Sequence, residues 1–234
     1  MTKLKILAVI PARAGSKGLK NKNILKLGRK TLIEIAIDKA KTSKFIDKIC
    51  VSTDSKIIQK IAKKNKVWCE KLRPKAISGD KSKLYHAVKF VIDNVDYKPD
   101  IIIELHPTHV FRSSKLIDRA IKFFLKYKKA DSLISLLEIK NTSHPHFAIN
   151  LKKKIIKFKN SPTNFNRNFL KNKRYQSSGI ILISKLINFL KNKSMVGKNC
   201  LGYVVKNNIE KIDINTPIDY SFCKFLFKYG YNKF

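Results

Sequence analysis

The sequence predicts an α/β fold built on a mostly parallel sheet, and three observations carry the prediction. Short apolar runs that suit buried strands alternate with segments of helical period. The runs are near-continuous, as in strands covered on both faces. Polar and Gly-rich signals follow the runs, at the strand ends where open parallel sheets bind ligands.

The first run, residues 6–10, is all Ile, Leu, Ala and Val and is closed by Pro11. A loop rich in Gly, Ser and Lys follows, in which Gly15 and Gly18 are expected to supply special backbone conformations and Arg13, Lys17, Lys20 and Lys22 positive charge. This is equipment for holding phosphates, although neither the Walker A spacing nor Gly-x-Gly-x-x-Gly is present. Thr31 and Glu34 form a capping box, and Leu32, Ile33, Ile35, Ala36 and Ile37 carry a helix to about Ser43. Residues 48–53 read as the second strand, and Ile57, Ile58, Ile61 and Ala62 as the next helix, to Lys64. Residues 67–69 read as a short third strand.

Residues 72–80 lack a sustained period and enter a helix near Ser82, marked by Tyr85, Val88, Lys89 and Ile92. Residues 100–105 are the fourth strand, with His106 to Arg112 at its end. Ser113 or Ser114 caps the following helix, and residues 132–137 form a fifth strand. Residues 141–147 read as a loop, 152–159 as a hairpin arm, and 160–173 as a loop or insert able to cover a site or a subunit interface. Strands at 179–183 and 201–205 precede a last helix with Thr216 as N-cap and Pro217 at its first position.

At 234 residues and 44% hydrophobic content the chain fits one domain, without internal repeats or a separating linker. The formal net charge of +35 raises nucleic acid as a partner. Only seven of the 51 basic residues are Arg, however, and Lys, Asn, Ile and Phe share A/T-rich codons, so base composition can spread lysines over a solvated surface. A dedicated nucleic-acid binder concentrates Arg and interleaves aromatics. Nucleic-acid binding beyond non-specific charge is therefore not expected. Cys50, Cys69, Cys200 and Cys223 form no Cys-x-x-Cys pair and read as reduced thiols. No apolar run approaches a membrane span and no secretory h-region opens the chain, so the expected location is cytoplasmic.

Several strand-end groups have two readings. Residues 52–54, Ser-Thr-Asp, either cap the next helix or face a ligand. His106 and His109 are not read as a metal pair, because an x-Pro turn separates them and no carboxylate follows at ligand spacing. Asp213 and Asn215 are two apart, so extended backbone puts both on one face, where paired oxygens suit Mg²⁺. Asp219 reads as a partner of the last helix's dipole.

Residues 6–23 resemble the N-terminal signature of the CMP-sialic acid synthetase (N-acylneuraminate cytidylyltransferase) family, which reads roughly I-I-P-A-R-G-G-S-K-G-x-x-x-K-N. Three later segments follow in the family's order: Ser52-Thr53-Asp54 with Arg73-Pro74, Ile77 and Asp80; Pro107, Thr108 and Arg112 of its Gln-Pro-Thr-Ser-Pro-x-Arg; and Asp213 of its Asp-Ile-Asp-Thr. The resemblance implies a three-layer α/β/α nucleotidyltransferase (Rossmann-like) fold, with a dimerisation or lid insert at about residues 140–175 and a homodimer. It implies transfer of CMP from CTP to a 2-keto sugar acid with Mg²⁺. Ala12, Arg13, Gly15, Ser16, Lys17, Lys22, Asn23, Thr53, Arg73 and Asp80 would bind the nucleotide, with Arg13, Lys22 and Asp213 catalytic. His106, Thr108, Arg112, Ser178 and Gly179 would bind the acceptor, and Asp213 with Asn215 the metal. The chain departs from the family mainly on the acceptor side: His106 stands for Gln, His109 for Ser, Ser178 for Asn and Leu182 for Tyr. Asn215 replaces the second metal acid, so an impaired nucleotide- or sugar-binding homologue, or a cytidylyltransferase for another sugar acid, are the alternatives.

Overall fold

The computed structural model describes residues 3–15, 18–79, 82–139, 149–152, 155–158 and 173–231. Its strands are β1 (Ile6–Pro11), β2 (Lys26–Leu27), β3 (Lys30–Thr31), β4 (Lys48–Ser52), β5 (Ile101–Glu104), β6 (Ser132–Glu138), β7 (Ile149–Lys152), β8 (Ile155–Phe158), β9 (Tyr175–Lys185) and β10 (Cys200–Val204). Its helices are α1 (Leu32–Lys41), α2 (Lys56–Lys64), α3 (Leu84–Asn94), α4 (Ser114–Lys126), α5 (Leu186–Asn192) and α6 (Pro217–Lys228).

Six strands form one sheet in the order β10-β6-β9-β5-β1-β4. All run parallel except β9, which is antiparallel to both β5 and β6. The alternation of side chains along β1 builds the three layers. Ile6, Ala8 and Ile10 join α1, α2 and α4 on one face, whereas Leu7 and Val9 join α3 and α5 on the other. Each large side chain buried in this way contributes about 1.5–3 kcal/mol. A third cluster packs α6 against Leu27, Leu32, Val110, Phe111 and Ile214, which ties α6 to the segment that follows the Gly- and Lys-rich loop.

The expected capping box at Thr31 forms, and Thr216, expected as an N-cap, makes a second one with Asp219. Thr31 accepts from the Glu34 N–H and Thr216 from the Asp219 N–H, with each acid reaching back to the cap backbone. Ser113 caps α4, and Ser55 rather than residues 52–54 caps α2. The expected strand at 67–69 is reduced to one parallel bridge, Cys50 to Trp68, because the chain then turns away through an irregular stretch. The expected hairpin arm is β7 with β8; the loops at 141–147 and most of 160–173 lie outside the described residues. The short helix α5 was not expected: it has no side-chain cap and only seven residues to display a period. All four cysteines are free thiols, and burial pushes those of Cys50 and Cys223 up to about 12. Among the described residues no helix is long and apolar enough to cross a membrane.

Candidate active site

The C-terminal ends of β1, β4 and β5, with the segment before α6, enclose a cleft of about 650 Å³. Arg13, Lys22, Asn23, Arg73, His106, Thr108, Ser178, Gly179, Asp213 and Asn215, chosen from widely separated segments, all line it.

At one end the loop after β1 is held from three sides. The Ala12 N–H donates to the Ser52 carbonyl (2.9 Å), and the Ala14 N–H to Asp54 Oδ1 (2.8 Å). Buried Asn23 donates from Nδ2 to the Arg13 carbonyl (3.0 Å). Asp54 therefore braces this loop. Ala12 is itself fully buried, so its part is to fix the turn from below. Neither Gly15 nor Gly18 takes the left-handed backbone; Asn21, with φ of 56°, does. Gly18 is required for another reason: a Cβ there would lie 2.5 Å from the Asn215 carbonyl oxygen. At Gly15 a Cβ would meet nothing within 4 Å. Ser16, Lys17 and Asp80 lie outside the described residues.

Lys22 reaches across to the far end of the chain. Its Nζ donates to the Ile214 carbonyl (2.8 Å) and to Asn215 Oδ1 (3.1 Å). Asn215 Nδ2 then donates to Asp213 Oδ2 (2.7 Å). The expectation that residues 213 and 215 share a face holds, but the Asn215 oxygen is engaged by Lys22 and bridges the lysine to Asp213. Partial burial lowers the Lys22 pKa; Asp213 opposes the fall and Arg13 adds to it. Burial alone would raise the Asp213 carboxyl, but His109, the hydrogen bonds of Thr108 and Asn215, and Lys22 together hold it below its ordinary value. Among the described residues Asp213 Oδ1 is buried without a hydrogen-bond partner. An anionic oxygen in that position fits a cation. Among the described residues no cluster of three or more His, Cys, Asp or Glu could hold one, so most of its shell would have to come from a ligand. Asp219 instead accepts from the Asn215 and Thr216 N–H groups and serves the start of α6.

The wall formed by Arg73, Ile77, Ser78, Leu84 and Ala87 is semi-apolar. Arg73 is buried, donates from Nε to Ser78 Oγ (3.0 Å), and its pKa is lowered by that burial, with Asp54 opposing. Thr53 is fully buried and does not line the cleft; its hydroxyl accepts from the Ser55 N–H and its carbonyl from the Arg73 N–H (2.7 Å), so it positions Arg73.

The opposite end is built by a bulge in β9. Register shifts between Ile134 and Leu136, and Gly179 sits there with φ of 67°, where a side chain would be strained. Ser178 Oγ lies 2.8 Å from Ser135 Oγ and reaches the Ser135 carbonyl, so it braces the bulge at the cleft edge. Arg112, expected to touch an acceptor, is not in the cleft. It is 1% exposed and donates to the carbonyls of His106 (3.1 Å) and Ile180 (3.0 Å), the latter displaced from the ladder by the bulge. It supports the floor from below, because a guanidinium offers donors enough to satisfy several stranded carbonyls at once. His109 is buried with Nε2 3.9 Å from Asp213 Oδ1. Burial pushes its pKa down to about 4, against the pull of Asp213 and helped by Arg112 and His106. At neutral pH it is an uncharged ring, so Thr108, Asn215 and Lys22 keep Asp213 ionised.

One residue escaped the sequence reading. Glu104, the last residue of β5, is fully buried, with Oε1 2.6 Å from His106 Nε2. A single acid inside an otherwise apolar strand was the signal for it.

A mostly parallel sheet with a Gly- and Lys-rich loop after its first strand, an acid from the opposite end of the chain and a cleft at the strand ends define an α/β protein of the class that binds its ligand beyond the carboxyl ends of its strands. The particular family follows from comparison with known proteins: the cytidylyltransferase pattern matches residues 7–181, and the chain belongs to that family. It is 30% identical over 217 residues to an N-acylneuraminate cytidylyltransferase of Escherichia coli, covering 92% of this chain and 50% of that protein. It is 31% identical to a CMP-N,N'-diacetyllegionaminic acid synthase of Legionella pneumophila over 226 residues, covering 93% of this chain and 94% of that one. The chain thus spans half the length of the first relative and nearly all of the second. Among solved structures, a CMP:2-keto-3-deoxy-manno-octonic acid synthetase complexed with CTP superposes with a TM-score of 0.69 at 16% identity, covering 96% of this chain and 99% of that one. A cytidylyltransferase from Leptospira borgpetersenii gives 0.64 at 21% identity, covering 98% and 90%.

Proposed function

We propose that the chain transfers CMP from CTP to a 2-keto sugar acid of the sialic or nonulosonic class and releases pyrophosphate. The observation that carries this reading is the meeting of Arg13, Lys22 and Asp213 at one end of a single cleft, with Lys22 linked through Asn215 to Asp213. Transfer to the α-phosphorus needs positive charge around the triphosphate, since an anionic phosphoryl centre repels a nucleophile and the leaving group gains charge. Arg13 and Lys22 supply part of that charge. Asp213 would hold Mg²⁺, which would neutralise further phosphate charge. Arg73 and the wall beside it suit the nucleoside, and the His106–Gly179 end suits the acceptor. The same reading carries a homodimer and a cytoplasmic location as expectations.

The test is CTP consumption with pyrophosphate release, in Mg²⁺, across a panel of sialic, legionaminic, pseudaminic and 3-deoxy-octulosonic acids. Turnover with one or more supports the reading. No turnover with any of them overturns it, and calorimetry with CTP then separates a nucleotide-binding homologue from a chain that does not bind CTP.

A further inference from the structure

Attack on CTP requires that the acceptor's hydroxyl lose its proton, and among the described residues the phosphate end of the cleft offers no obvious group to take it. Lys22 is a hydrogen-bonded cation. Asp213 is occupied by Asn215 and Thr108, and its second oxygen fits a cation. His109 is 4% exposed and faces Asp213.

His106 differs from all three. It lines the cleft at the acceptor end, its side chain is 31% exposed, and its Nε2 lies 2.6 Å from a carboxylate that is itself 0% exposed. The contact is close but not a straight hydrogen bond, and among the described residues neither Glu104 oxygen has an aligned donor. A buried carboxylate in that condition is costly, and the cost is offset only by positive charge nearby. Arg112 provides one such charge from below. A second positive charge would appear on His106 if its ring took up a proton, which is the role a buried carboxylate plays behind a catalytic histidine. A ring lone pair facing a carboxylate oxygen at 2.6 Å would be repelled, so the ring proton belongs on Nε2 and Nδ1 is left with its lone pair.

Resting on the transfer reading above, we propose that His106 is the general base for the acceptor and that Glu104 is its positioning residue. The Nδ1 lone pair takes the proton of the acceptor hydroxyl. The electrons of that O–H bond form the new bond from oxygen to the α-phosphorus. The bond from the α-phosphorus to the bridging oxygen breaks, and its pair leaves with pyrophosphate. Among the described residues the charged and titratable groups around His106 are Glu104 from β5, His109 and Arg112 from the following loop, and Asp213 beyond His109, with Ser178 and Gly179 of β9 beside them.

The experiment compares the parent with H106Q, H106A and E104Q on whichever sugar acid turns over. H106Q should lower kcat by about 10²–10⁴-fold, the usual worth of a general base, with CTP affinity unchanged within about twofold. The acid limb of the parent's kcat profile should vanish in H106Q, and added imidazole should restore part of the turnover of H106A. E104Q should lower kcat with little change in acceptor KM and should move that acid limb. A parent inert on every acceptor overturns the transfer reading and this inference with it. An active parent with H106Q within about threefold of its kcat overturns the base assignment alone. So does loss of CTP binding in step with kcat in all three variants, because that marks a structural role.

Discussion

Replacing Arg112 with Met tests whether the cleft floor depends on one buried cation. The change removes a side chain that is 1% exposed, the donors to the His106 and Ile180 carbonyls, and a positive charge near buried Glu104. Burial pushes the Arg112 pKa down to about 9, so the group is still a cation at neutral pH and its loss is felt in full. Two buried carbonyls left unpaired cost about 1–3 kcal/mol each. Stranding a buried charge costs about 3–5 kcal/mol. These contributions overlap, since the same guanidinium serves all three groups, so the expected destabilisation is about 4 kcal/mol. For a chain of this length that corresponds to a fall in Tm of about 8–16 °C. Urea and thermal unfolding of R112M measure it directly. The double variant R112M/E104Q should recover about 1–3 kcal/mol relative to the sum of the single changes. R112M within about 1 kcal/mol of the parent, or strict additivity of the pair, would refute the reasoning.

Gly18→Ala puts a Cβ 2.5 Å from the Asn215 carbonyl and should cost about 1–3 kcal/mol and at least tenfold in CTP affinity, whereas Gly15→Ala, which meets nothing within 4 Å, should leave stability nearly unchanged; melting curves and calorimetry separate the two. His109, lowered from about 6.5 to about 4, binds its proton more weakly folded than unfolded, so stability should fall as pH falls from about 6.5 to 4. The loss is roughly 3 kcal/mol at most, and urea midpoints for H109Q should show a flatter profile over the same window. Asn215→Asp exchanges the donor to Asp213 for a second carboxylate, so it should lower Tm in EDTA and increase the stabilisation gained on adding Mg²⁺; an unchanged response to Mg²⁺ would count against Asp213 as the cation ligand.

Much of the fold was legible because its determinants are local. The apolar run of β1, the capping box at Thr31, the N-cap Thr216 with Pro217, and the serine before α4 each announce an element within a few residues. The helix α5 was missed because seven uncapped residues display too little period. Strand ends also told where the cleft would open, since β1, β4 and β5 run parallel and their polar loops must emerge on one side.

The sequence by itself determined the parallel sheet, the basic loop after its first strand and the residue types from which the cleft at the strand ends is drawn. Tertiary structure decided which of them face the cleft. Arg73 and Arg112 look alike at strand ends, yet one lines the wall and the other lies beneath the floor, because the β9 bulge strands the Ile180 carbonyl that Arg112 satisfies. The Lys22 to Asn215 contact spans 193 residues, and the need for glycine at position 18 arises only where those two segments cross. Glu104 became informative only once burial left its carboxylate with His106 beside it. Periodicity and capping act over a few residues, whereas burial and close approach are properties of the packed chain.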